Sequence, residues 1–154
     1  MNIADIIRGK GKTLYTVKKS TLAVDAVAIM DKHCVGVLMV VDDKESVAGI
    51  ISERDILYKC YRSGEPLKEK KVEMLMTPVE DIIIGKIDDT PTKLMSMMVS
   101  QKIRHIPIIE ENTITGIISM DDIMKLILEN SEVESRKLRE YIQNPFGVHI
   151  YKNE

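Results

Sequence analysis

Gly49-Ile50-Ile51-Ser52-Glu53-Arg54-Asp55-Ile56 returns as Gly116-Ile117-Ile118-Ser119-Met120-Asp121-Asp122-Ile123. The second copy begins 67 residues after the first, and six of the eight positions are identical. A repeat of this period is too long for one turn of a solenoid. The chain therefore reads as two copies of one small α/β unit packed against each other. Gly, Ser and Asp recur at matching places, which points to a chemistry used twice.

Working outward, each copy shows the same order of elements. In the first, a short strand over Leu14–Val17 precedes a helix capped by Ser20 or Thr21 and running to about Lys32. Leu22, Ala26, Ile29 and Met30 mark its apolar side. The Val-rich run Val35–Val41 predicts a buried strand. Asp42-Asp43-Lys44-Glu45-Ser46 is a hairpin turn, and Val47–Ser52 the returning strand. A helix then spans Glu53 to about Tyr61 and stops near Ser63-Gly64-Glu65-Pro66.

Lys68-Glu69-Lys70-Lys71 reads as a solvated linker face. Val72–Met76 predicts a helical lead-in to the second copy, and Ile3-Ala4-Asp5-Ile6-Ile7 a similar one to the first. The second copy predicts a strand at Ile82–Ile87, a helix from Pro91 to Gln101, strands at His105–Ile109 and Ile114–Ser119, and a helix over Met120–Asn130. Pro91 suits a first helical turn. The hairpin turn is one residue shorter here, since Arg104 matches Gly36 at a shift of 68 and Gly116 matches Gly49 at 67. The division expected is 1–66, 67–130 and a tail, 131–154. That tail extends the last helix, packs on a partner subunit or the repeat itself, and ends at Asn144-Pro145-Phe146-Gly147.

Bulk composition bounds the function. Of 154 residues, 44% are hydrophobic, enough for a core without disulfides. A net charge of −2 gives no basic face for nucleic acid. Apolar stretches of about seven residues fall far short of the roughly 20 that cross a bilayer. Residues 1–13 carry Arg8, Lys10 and Lys12 and do not read as a signal peptide. Cys34 and Cys60 lack CxxC spacing and fit reduced, buried or half-buried thiols of a cytoplasmic protein. The methionines at 95, 97, 98, 120 and 124 read as packing residues of the core and of a dimer.

Two constellations carry possible chemistry. The first is the doubled Ser-x-x-Asp: Ser52 with Asp55, and Ser119 with Asp122. Taken once, it is a capping box. Twice, after Gly-Ile-Ile, it places a Ser at the end of a buried strand and the start of a helix. The free N–H groups there suit an anion, the hydroxyl adds a donor, and the Asp can accept bonds from vicinal hydroxyls such as those of ribose. The second is Arg104-His105-Ile106-Pro107, whose Arg and His offer hydrogen bonds to phosphate oxygens. Pro107 inside a strand marks an edge or irregular position. Gly36, Val37, Leu38 and Met39 stand at the matching places of the first copy, whose own cation is Arg54 against Asp121 in the second. Arg8-Gly9-Lys10-Gly11-Lys12 has no Walker spacing and reads as a flexible lead-in. No Ser/His/Asp set, paired catalytic carboxylates or zinc spacing appear, so neither an enzyme nor a metal site is expected.

Two strand–helix–strand–strand–helix units, each closing on Gly-Ile-Ile-Ser-x-x-Asp-Ile, resemble a tandem pair of CBS domains, a Bateman module. The resemblance covers roughly residues 1–130, and the tail through Leu138-Arg139-Glu140-Tyr141-Ile142 resembles that of small stand-alone pairs. It implies a mixed α/β (α+β) fold, with the β-α-β-β-α repeats packed around a pseudo-twofold axis, a C-terminal helix and two clefts between the repeats. It implies adenosine ligands: AMP, ADP, ATP, NAD(H) or S-adenosylmethionine. Carried over, site two is Arg104, His105, Ile106, Pro107, Ile117, Ser119 and Asp122, completed by Lys10 and Tyr15 from the opening segment. Site one is Val37, Ile50, Ser52, Arg54 and Asp55, completed by Thr77 and Ile83, with weaker phosphate binding because the Arg-His pair is missing there. The function expected is a non-catalytic, adenosine-nucleotide-sensing homodimer read by an unknown regulated protein. The alternative is a ligand-independent dimerisation scaffold.

Overall fold

The computed structural model describes residues 2–11 and 14–143, the side chains of 141–143 excepted. Helix α1 (Ile3–Gly9) leads into the first repeat: β1 (Thr16–Lys18), α2 (Ala23–His33), β2 (Val37–Val41), β3 (Val47–Ser52) and α3 (Glu53–Ser63). Helix α4 (Val72–Leu75) and β4 (Thr77–Pro78) lead into the second: β5 (Gly85–Lys86), α5 (Pro91–Gln101), β6 (His105–Glu110), β7 (Thr113–Ser119) and α6 (Met120–Gln143). The predicted α5 agrees at both ends, because Thr90 accepts a bond from Lys93 N and Pro91 opens the first turn.

The repeats build separate sheets, β1-β2-β3-β4 and β5-β6-β7. In each, a short parallel strand flanks an antiparallel hairpin, and the hairpin register slips at equivalent places, Val40/Val41 and Ile108/Ile109. The shorter second turn has Glu111 and Asn112 both at positive φ, as a tight two-residue hairpin requires. The longer first turn is held by Asp42, which accepts bonds from Lys44 N and Ser46 N.

The lead-in helices cross over. Ile3 and Ile7 of α1 are buried with Leu94, Met98, Ile106, Ile108 and Ile118 of the second repeat. Val72 and Leu75 of α4 are buried with Val17, Leu38, Val40 and Ile51 of the first. Each lead-in thus seals the core of the other repeat.

Several sequence expectations change. Neither Ser20 nor Thr21 caps α2: Leu22 is the N-cap and makes no side-chain bond. The linker does that work, since Ala23 N donates to Lys70 O at 2.8 Å. Val72 N and Glu73 N bond back to Thr21 O and Lys19 O. This strap also buries Lys70, which is 6% exposed and paired with Glu65, so the charge run is not wholly solvated. The strand expected over Ile82–Ile87 shrinks to Gly85–Lys86, because Val79–Asp81 coils into a 3-10 turn. Leu22 is exposed and Cys34 is exposed, whereas Cys60 is half-buried. Met98 is fully buried but Met124 is half-exposed. Helix α6 continues to Gln143, with every described residue from Asn130 to Glu140 exposed. The expected stop at Asn144-Pro145-Phe146-Gly147 lies outside the described residues. No helix among the described residues is long and apolar enough to cross a membrane.

Candidate functional site

Both Ser-x-x-Asp motifs fold as reciprocal capping boxes. Asp55 N donates to Ser52 Oγ at 3.2 Å, while Ser52 N and Oγ donate to Asp55 Oδ2 at 3.0 and 2.7 Å. In the second repeat, Asp122 N donates to Ser119 Oγ at 3.2 Å, and Ser119 N and Oγ donate to Asp122 Oδ2 at 2.7 and 2.6 Å. Each box fixes the turn from the last strand into the last helix, at the mouth of a cleft between the repeats.

Each Asp also carries a lysine. Lys10 reaches Asp122 from the end of α1, and its ammonium lies 3.5 Å from Ile117 O. Lys59, one turn along α3, lies 3.5 Å from Asp55 Oδ1 and donates to Leu75 O and Met76 O at 2.6 and 3.0 Å. Lys59 was missed by sequence reading. Its signal was the Asp-to-Lys spacing of four within one helix.

Cleft two has a volume of about 770 Å³, within the 300–1,000 Å³ or so usual for small-molecule sites. Of the residues expected there, Lys10, Tyr15, Arg104, His105, Ile117 and Ser119 line it. Asp122 stands behind Ser119 and Lys10, bonded to both. Tyr15 stacks on His33 with ring centroids 4.1 Å apart, so its ring is braced.

Cleft one is tighter, about 170 Å³. All seven residues expected there (Val37, Ile50, Ser52, Arg54, Asp55, Thr77 and Ile83) line it. The shortened β5 explains how Ile83 reaches it: Ile82 and Ile83 fall in the irregular segment between the 3-10 turn and the strand.

Two site expectations are corrected. Ile106 is fully buried in the second core and lines neither cleft. Alternation along β6 turns it away from the side on which His105 and Pro107 face a cleft. Pro107 lines cleft one, not cleft two. It pairs with Ile117 on β7, but β5 reaches only Ile108 and Ile109, so no strand lies beside Pro107 on that side.

The placement of the cations also differs from what each copy's own sequence suggests. Arg104 and His105 line both clefts, as do Val37 and Glu53. Lys102 adds to cleft one, and its carbonyl accepts from Arg54 Nη1 at 2.9 Å. The absence of an Arg-His pair at Gly36-Val37 therefore leaves cleft one with cations after all, supplied by the other repeat. Sequence reading missed Lys102 and Glu53; Lys102 was signalled only by its closeness to Arg104.

Charge in the wall is tuned by burial. Burial pushes the His105 imidazole below its ordinary pKa; Glu53 and Asp122 oppose this, and Lys10 and Arg104 add to it. Burial would raise the Asp122 carboxyl, but hydrogen bonds from Lys10 and Ser119 outweigh it and the pKa falls. An ionised carboxylate faces a largely neutral imidazole near neutral pH.

The sequence model of the CBS domain matches residues 4–61 and again 72–129. A mitochondrial CBS domain-containing protein of Arabidopsis thaliana, CBSX3, is 32% identical over 94% of this chain and 73% of its own length. The structure of a putative signal-transduction protein with CBS domains from Burkholderia ambifaria matches with a TM-score of 0.77 and 29% identity, over 84% of this chain and 95% of that one. The CBS-domain pair of protein MJ0100, in complex with 5'-methylthioadenosine and S-adenosyl-L-methionine, shares the fold with a TM-score of 0.69 and 23% identity, over 84% of this chain and 98% of that one. The chain thus belongs to the CBS-domain family, as a tandem pair of repeats.

Proposed function

We propose that the protein is a non-catalytic regulatory module that binds adenosine-containing ligands in the clefts between its repeats. One observation carries the reading. In cleft two a capping Ser, a cationic pair and a braced aromatic ring line a space of ligand size, with the ribose-competent Asp122 bonded directly behind the Ser. The Asp122 carboxylate accepts ribose hydroxyls, Ser119 and the start of α6 face phosphate, and Ile117 and Tyr15 hold the base. That the fold accommodates such ligands in MJ0100 supports the ligand class. AMP, ADP, ATP, NAD(H) and S-adenosylmethionine all present the required ribose.

Binding regulates only if it favours one arrangement of the repeats or subunits over another. The repeats meet across the two clefts, so a ligand bridging Tyr15 and Val37 of the first repeat and β6 and β7 of the second biases how they sit. We assign the protein a homodimeric state, a cytoplasmic setting and a regulated partner that reads this change.

Calorimetry with these ligands tests the reading. Wild-type protein binds at least one of them, and Asp122→Ala weakens that binding. At about 100 times Kd the ligand adds roughly 2.7 kcal/mol of stability. Silence with every ligand leaves the capping boxes as structure only, and the protein as a ligand-independent scaffold.

A further inference from the structure

We propose that Arg104 and His105 form a single phosphate-binding pair serving both clefts, so that cleft one also takes a phosphate-bearing adenosine ligand and the two clefts compete for the same cations. The proposal rests on the adenosine-ligand reading above and assigns to cleft one a phosphate subsite drawn from the other repeat.

Geometry carries the argument. Arg104 and His105 enter β6 at the wall dividing the clefts, and both residues line both spaces. The other cations nearby each line one cleft alone, Lys10 cleft two and Arg54 and Lys102 cleft one. Lys10 sits on Asp122, and Arg54 donates to the Lys102 carbonyl at 2.9 Å. The Arg104 guanidinium makes no hydrogen bond or ion pair among the described residues, and its residue is exposed. An exposed guanidinium on a long side chain can turn to either face of the wall. It can satisfy one phosphate group fully, since its donors form one planar fork.

The same wall carries Glu53, which faces both clefts as well. Its carboxylate packs over Gly36, where an added Cβ would lie 3.3 Å from Cδ. Phosphate in either cleft is repelled by Glu53, and Arg104 and His105 are the pair that can offset it in both. Once the pair has turned to one cleft, a second polyphosphate meets Glu53 and the first ligand's charge with less compensation. Uncharged adenosine ligands have no such conflict. The two clefts therefore bind ATP with negative cooperativity and 5'-methylthioadenosine independently.

The experiment uses the full chain with ATP and 5'-methylthioadenosine. Stepwise binding is read by native mass spectrometry and calorimetry in wild type and in the single-cleft variants Asp55→Ala and Asp122→Ala. In wild type the second ATP binds about tenfold or more weakly than the same cleft binds ATP alone, a coupling of ordinary allosteric size. Adding Arg104→Ala weakens ATP about tenfold in both single-cleft backgrounds, with a much smaller effect on 5'-methylthioadenosine. A loss confined to one background, or two equal and independent ATP steps in wild type, overturns the shared pair while leaving the adenosine reading intact. If wild type binds neither ligand, the reading and the shared pair both fail.

Discussion

Lys10 Nζ rests on the carboxylate of Asp122, 112 positions further along the chain, and so ties the end of α1 to the start of α6. The pair is partly solvated, with side-chain exposures of 44% and 20%, so it contributes modestly to stability, about 0.5–1 kcal/mol. Its larger consequence concerns ligands. Lys10 and Ser119 both bond to Oδ2, which leaves Oδ1 to accept a ribose hydroxyl with the Lys10 ammonium close by for a phosphate. Lys10→Ala deprives ATP of a cation but takes no charge partner from an uncharged nucleoside. The ratio of ATP to 5'-methylthioadenosine affinity is expected to fall about tenfold in calorimetry. Equal changes for both ligands would mean that Lys10 does not discriminate between them.

The repeated glycine has a physical cause that differs in rigidity between copies. A Cβ at Gly49 would meet the Thr77 carbonyl oxygen at 2.5 Å and Met76 Sδ at 2.9 Å. A Cβ at Gly116 would meet only Ile7, its Cδ1 at 2.9 Å. In both, a lead-in segment crosses over the glycine. The Thr77 oxygen cannot yield without disturbing the β3–β4 pairing of Gly49 with Pro78, whereas the end of an Ile side chain can turn. Gly49→Ala is expected to cost about 2–3 kcal/mol and Gly116→Ala about 1 kcal/mol. Urea denaturation of the two variants reads the difference, and equal losses would refute the explanation.

Much of the fold is legible in the sequence because its signals are local. The doubled octapeptide, the Val-rich strand before Asp42 and the Pro91 helix start each report on a few adjacent residues, and the structure agrees at all three. What escapes sequence reading is long-range. Nothing within Ile3–Ile7 says that this helix seals the second core and not the first, since the amphipathic pattern gives a buried face but not its partner. Lys70 reads as solvent-facing until the linker is seen strapped along the start of α2. The residues expected at site one line one cleft together, and five of them (Val37, Ile50, Ser52, Arg54 and Asp55) lie on β2, β3 and the start of α3. Apart from Arg54 its cations were not legible, because Lys102, Arg104 and His105 come from the other repeat and reach cleft one only once the repeats are packed.

Ser52→Ala and Ser119→Ala each remove an N-cap, expected to cost about 1 kcal/mol. Both hydroxyls also donate to the paired carboxylate, so the variants leave Asp55 and Asp122 short of a donor. Asp122 retains Lys10 as a close partner, while Asp55 has Lys59 at 3.5 Å. The loss at Ser52 should therefore equal or exceed that at Ser119. The boxes share no partner, so the double variant should lose the sum to within about 0.5 kcal/mol. Chemical denaturation of the three variants checks both statements; a double variant no worse than a single one would show the boxes to be coupled.

His105 and Asp122 give the cleft opposite responses to acid with and without ligand. Burial lowers the His105 pKa on folding, with Glu53 and Asp122 opposing and Lys10 and Arg104 reinforcing. The neutral imidazole is thus favoured in the fold, and its contribution to stability is full above the ordinary value near 6.5 and lost as pH falls below it. Asp122 also titrates below its ordinary value, since bonds from Lys10 and Ser119 outweigh burial. Its contribution is present above about pH 4 and lost as pH falls further. Unliganded protein should lose stability in two steps, the upper one absent in His105→Asn and the lower one reduced in Lys10→Ala. Phosphate beside His105 reverses the first step, because a nearby anion favours the imidazolium. ATP affinity should rise as pH falls through the ordinary imidazole value of about 6.5, by up to about tenfold for each unit by which the ligand raises the His105 pKa. Asp122 stays ionised throughout that window, so ribose binding does not change. His105→Asn should flatten the ATP profile while wild-type binding of uncharged 5'-methylthioadenosine stays level. A wild-type ATP affinity that is flat or falls on acidification would place the phosphate away from His105.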